Sequence, residues 1–120
     1  MARIKTNKRR YLIEDCITEY IEDCRIRNLS ERTIFEYNNH LTSFLYVFNG
    51  NYLNEIPNKL NEYLNDLPNH HDYNITSYNN HSRFINCWLK WCSKEYDIDL
   101  PRLPFKKADK NFNTSQLKKR

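Results

Sequence analysis

A chain of 120 residues holds one domain with a real core and is too short for two ordinary ones. Hydrophobic residues at 39% and aromatics at 14% exclude a disordered chain, and one glycine with four prolines favours long helices over hairpin-rich sheets. The net charge of +4 is uneven: residues 1–10 carry five Lys or Arg and no acid, residues 102–120 carry seven against Asp109, and residues 11–101 carry seven against fourteen acids, so two basic arms flank an acidic body. Such arms suit a nucleic-acid backbone and suit solubilising tails equally well.

In chain order, a basic arm over residues 1–10 precedes Ile13, Cys16, Ile17, Tyr20, Ile21 and Cys24, whose spacings of three and four predict a helix from about Arg10 to Arg27. Its other face carries Glu14, Asp15, Glu19, Glu22 and Asp23, a solvated surface that has to point away from any phosphate. Ser30 is the expected cap of a second helix with Ile34, Tyr37, Leu41, Leu45 and Phe48 as its buried stripe, stopped after Asn49 by a left-handed Gly50. Ile56 and Pro57 open a third helix that runs through Leu60, Tyr63, Leu64 and Leu67 to Pro68. The fourth is predicted from Ile75 to Tyr96, with Tyr78, Ile85, Trp88, Leu89 and Cys92 inside, and no acid occurs from Asn74 to Lys94. The chain from Leu100 onward has two prolines and a basic excess, and reads as a linker or tail.

No apolar run approaches a membrane span, and the charged amino terminus has no apolar segment behind it, so no membrane partner and a cytoplasmic location are the default expectations. Cys16, Cys24, Cys87 and Cys92 form no CxxC pair and are expected as buried free thiols; His70 and His71, adjacent in a polar loop, are expected to face solvent. A metal, a cofactor and an enzymatic activity on this chain are not expected, because metal spacing, a glycine-rich phosphate loop and a clustered carboxylate pair are all lacking.

The helices are opened by Leu29, Ser30, Thr33, Ile34 and Tyr37, continue through Leu41 and Phe44, and close on Trp88, Leu89, Trp91 and Cys92. With Tyr20 and Ile21 in the first helix, Ile56 before the third, Ser77 where threonine is usual, Ile85 in the core, and Pro104 and Phe105 at the end, residues 11–105 resemble the amino-terminal core-binding domain of tyrosine recombinases, the phage-integrase family. The resemblance implies an all-α, compact four-helix, SAM-like domain with basic flexible tails (residues 1–10 and 106–120), of bacterial, phage or mobile-element origin. It also implies half a clamp on double-stranded DNA at a recombination site, with the second and fourth helices toward the grooves. The nucleophilic tyrosine and its basic partners belong to a separate carboxy-terminal catalytic domain, which becomes a partner together with other protomers of a recombination complex. The acidic first helix, through Glu19 and Glu22, is a candidate contact with such a protomer.

The residue chemistry points the same way. Thr33 and Ser77, hydroxyls in the first turn of a helix, suit phosphate positioning, and Thr33 is the one residue of its helix start that packing leaves unexplained. Thr76, Asn80 and Arg83 on the fourth helix, and Arg32 and Asn39 on the second, suit base-edge or backbone contacts. Lys90, Lys94, Arg9, Arg10, Lys106 and Lys107 add charge for phosphates. His81 matches a family position near DNA, although a lone histidine on a helix flank also packs or faces water, and Glu36 departs from a phosphate-binding face. A helical protein-interaction adaptor and a free-standing accessory DNA-binding protein remain the alternative readings.

Overall fold

The computed structural model describes residues 10–107. They form an all-α domain of four helices: α1 (Ile13–Ile26), α2 (Glu31–Val47), α3 (Ile56–Asp66) and α4 (Ile75–Glu95), with short 3-10 turns at Leu53–Glu55 and Leu67–Asn69 on either side of α3. No helix among the described residues is long and apolar enough to cross a membrane.

The helix starts rely on two kinds of partner, loop backbone for α1 and a side-chain cap for α2 and α4. Leu12 offers α1 no side-chain cap. The loop before α3 supplies partners instead: the Ile13 N–H donates to the Asn51 carbonyl at 2.9 Å, and the Leu53 N–H to the Tyr11 carbonyl at 2.7 Å. This pairing of backbone with backbone holds residues 11 and 12 extended, which is why α1 begins at Ile13, the first residue of its apolar stripe, and not at about Arg10. Ser30 caps α2 by accepting the Thr33 N–H at 3.1 Å, and Asn74 caps α4 by accepting the Ser77 N–H at 2.7 Å. Each such cap contributes about 1 kcal/mol.

Helix ends in a chain with one glycine need another left-handed residue. Asn28 (φ 62°) and Asp97 (φ 56°) take that role. After α1 the Asn28 N–H reaches the Arg25 carbonyl and the Leu29 N–H the Cys24 carbonyl, and after α4 the Ile98 N–H reaches the Ser93 carbonyl, so both ends close in the Schellman manner. Gly50 does not serve as expected: its φ is not positive, and α2 stops at Val47 with Phe48 already extended. Gly50 is needed for space, since a Cβ there would lie 2.7 Å from the Phe48 ring and 2.9 Å from Glu55 Oε1. That carboxylate accepts the Asn51 and Tyr52 N–H groups at 2.9 and 3.0 Å, and the two bonds hold its pKa below the usual range.

The core is a junction of all four helices. Trp88 of α4 is fully buried, with the Phe44 ring of α2 at 5.6 Å, and Phe44 in turn lies 4.7 Å from Tyr63 of α3. Tyr20 of α1 meets Tyr37 of α2 at 5.0 Å and Trp91 of α4 at 5.3 Å. Fully burying an aromatic or aliphatic side chain stabilises by about 1.5–3 kcal/mol, so this junction outweighs any single cap. The Tyr96 hydroxyl, donating to Glu19, ties the end of α4 to α1.

Three further expectations are corrected. Cys16, Cys24 and Cys92 are buried, but Cys87 is exposed because it lies on the outer face of α4. His71 is half-buried and 2.7 Å from Ser43 Oγ of α2, since the loop folds back onto that helix. The first part of the tail is docked on α4: Leu103 is 1% exposed, and Leu100 is buried with it.

Candidate nucleic-acid interface

The outer face of α4 gathers most of the residues that the sequence singles out. Thr76, Arg83 and Lys90 recur every seven residues, and Lys94 follows one turn on; all four are exposed, with Asn80 half-buried beside them. Seven residues are close to two turns, so the side chains share one stripe rising about 10.5 Å per step. Among the described residues, Arg83, Lys90 and Lys94 make no ion pair. Toward its carboxy-terminal end, Lys90 and Lys94 border a groove of about 370 Å³ whose other side is formed by Tyr20, Tyr37 and the Arg27–Asp23 ion pair. Burial raises the pKa of both tyrosines, so these hydroxyls remain protonated.

On α2 the picture differs. Arg32 and Asn39 are exposed, but Arg32 Nε lies 3.5 Å from Glu36 Oε2, and His40 Nε2 lies 3.7 Å from the other oxygen of the same carboxylate. Thr33 is half-buried and has a local explanation after all: the Ser30 hydroxyl donates to Thr33 Oγ1 at 2.9 Å while accepting the Thr33 N–H. Ser77 holds the equivalent place in α4 and is exposed.

His81 is the clear correction. It is fully buried, with Nδ1 2.9 Å from His40 Nδ1 and Nε2 2.8 Å from Tyr63 Oη, and it offers no surface to DNA. Burial, then the neighbouring His40 and His71, push its pKa down to about 3. A ring that stays neutral can share one proton with His40 and one with Tyr63, so both nitrogens are satisfied without charge. Burial also lowers the pKa of His40, against the pull of Glu36. Position 81 lies one residue from Asn80, and that 100° turn separates the outer face from the core.

The basic arms are only partly described. Arg9 lies outside the described residues. Arg10 is exposed and packs its guanidinium 4.2 Å from the centre of the Tyr52 ring, beside the α1 start. Lys106 and Lys107 are exposed, and Lys106 Nζ lies 4.5 Å from the centre of the Tyr78 ring.

Two residues that sequence reasoning missed put the tail there. Asn86 accepts the Leu103 N–H at 2.7 Å and donates to the Leu103 carbonyl at 3.0 Å; Asn79 accepts the Lys106 N–H at 2.8 Å and donates to its carbonyl at 2.8 Å. The legible signal was the seven-residue interval between two asparagines on a helix, matched to a proline-rich segment that cannot itself be helical.

No protein family, characterised protein or solved structure matches the chain.

Proposed function

We propose that this chain is a DNA-binding domain that grips one side of a duplex, as the core-binding half of a site-specific tyrosine recombinase does, and leaves strand cleavage to a separate catalytic domain. The observation that carries the reading is the outer face of α4: Thr76, Arg83, Lys90 and Lys94 stand in line with no acid between Asn74 and Lys94. In a body that is otherwise acidic, this surface attracts a polyanion. Lys90, Lys94 and Lys106 supply phosphate contacts, Thr76 and Ser77 hydroxyl contacts at the helix start, and Asn80 and Arg83 have the donors and acceptors to read base edges. Arg32 and Thr33 of α2 are less free to contact a phosphate, because Glu36 engages one and Ser30 the other.

The test is a titration of the isotopically labelled chain with a short duplex, followed amide by amide and repeated across salt. Amides around Thr76, Ser77, Asn80 and Arg83 should shift together, and the three lysine–phosphate contacts should give a slope of log K against log salt of about −2.7. A slope near zero, with α4 unmoved, would overturn the reading. The adaptor alternative draws on Phe35 and Tyr46, which are 61% and 77% exposed on the outer side of α2. A protein partner docking there would move α2 amides and leave α4 alone.

A further inference from the structure

Asn79 and Asn86 stand about 10.5 Å apart along α4. Three residues of extended chain span about 10 Å. This match lets each carboxamide pair with the N–H and the carbonyl of a single residue, Leu103 for Asn86 and Lys106 for Asn79, through two bonds of 2.7–3.0 Å apiece. The two side chains treat residues 103–106 as a neighbouring strand would. Pro101 and Pro104 suit the extended form and lack only N–H groups that the pairing does not use. Burial of Leu103 and a 2.9 Å bond from the Tyr78 hydroxyl to the Pro104 carbonyl complete the attachment.

A hold on the backbone leaves the side chains at positions 106 and 107 exposed, and these are lysines, with Lys106 Nζ resting 4.5 Å from the centre of the Tyr78 ring. Docking them on a helix whose outer face already bears Arg83, Lys90 and Lys94 concentrates like charge, which is unfavourable until a polyanion arrives. A lysine on an anchored backbone also loses less conformational freedom on meeting a phosphate than one on a free tail.

We infer that Asn79 and Asn86 are positioning residues for the nucleic-acid surface: by clamping residues 103–106 they station Lys106 and Lys107 at the amino-terminal end of α4. The inference rests on the DNA-binding reading and assigns a part in it to residues that touch no DNA.

The experiment compares the full chain, Asn79→Ala/Asn86→Ala and Lys106→Gln/Lys107→Gln for binding to a short duplex across a salt series. The clamp variant removes no charge, yet its slope should become shallower by about one to two, as in the lysine variant, at about 0.9 per lost contact. Combining all four changes should add nothing further to the lysine variant. A purely structural role would lower the unfolding midpoint and leave the slope unchanged, so a folded clamp variant with the wild-type slope overturns the inference. If the clamp variant does not fold, a wild-type slope in the lysine variant overturns it equally. Hydrogen exchange at the Lys106 amide separates the two ideas. Absence of duplex binding by the wild-type chain sinks the DNA reading and the positioning role with it, whereas a protected Lys106 amide reports the clamp independently of DNA.

Discussion

Helices α2 and α4 start on the same plan and diverge within two turns. Ser30 and Asn74 cap them, and Thr33 and Ser77 occupy the same position three residues on. Six residues after the cap, α2 has Glu36 where α4 has Asn80; nine after it, α2 has Asn39 where α4 has Arg83. The carboxylate engages the Arg32 of its own helix, while Arg83, Lys90 and Lys94 of α4 make no ion pair among the described residues. The two helices thus differ in the field they present, and only one offers charge that a phosphate can use.

The largest expected effect tests that difference directly. Arg83→Glu with Lys90→Glu should weaken duplex binding by about a hundredfold at low salt, about 2.7 kcal/mol, whereas Arg32→Glu should change it less than about threefold, because that charge is already engaged. Fluorescence anisotropy with a labelled duplex measures both. Equal losses would erase the distinction between the helices.

A second effect concerns what joins them. His40 of α2 and His81 of α4 meet at 2.9 Å, and the native pKa of His81 is depressed to about 3. Below the ordinary value of about 6.5 the unfolded chain takes up a proton that the native chain refuses, so native stability is full above that pH and declines as pH falls toward 3. Between pH 7 and 5 the loss should reach about 2 kcal/mol, read from urea unfolding. An unchanged midpoint would mean that the pair accepts a proton without opening the α2–α4 contact.

The smallest expected effect makes α2 resemble α4. Glu36→Asn releases Arg32 and removes a repulsive carboxylate, which should tighten duplex binding about two- to threefold with little change in stability. No change would put the outer face of α2 away from DNA and strengthen the case for a protein partner at Phe35 and Tyr46.

Much of this architecture is legible without coordinates. The cap at Ser30, the proline-led start of α3, the stripe from Tyr78 to Cys92 and the acid-free interval in α4 all follow from local rules, since capping, proline geometry and helical periodicity act within one or two turns. The less legible features depend on how far a helix rolls about its axis. Asn80 and His81 differ by a single step, and packing against Tyr63 and His40 decided which one faced inward. Periodicity put Cys87 inside by the same small error, and Gly50 was read for its backbone freedom when a nearby ring and carboxylate required its missing side chain.

By itself the sequence determined four helices, the Ser30 cap, the apolar stripes and the separation of charge between body and arms, because these depend on residue type and on neighbours a few positions away. Tertiary structure decided that His81 is a neutral core residue, that Thr33 serves its own cap, and that Leu103 and Lys106 lie clamped by Asn86 and Asn79. Those contacts join positions 17 to 41 residues apart, apart from the Ser30–Thr33 bond, which arises from a hydroxyl rotamer. Such pairings appear only once the helices have packed and fixed the distances between side chains that local spacing leaves free.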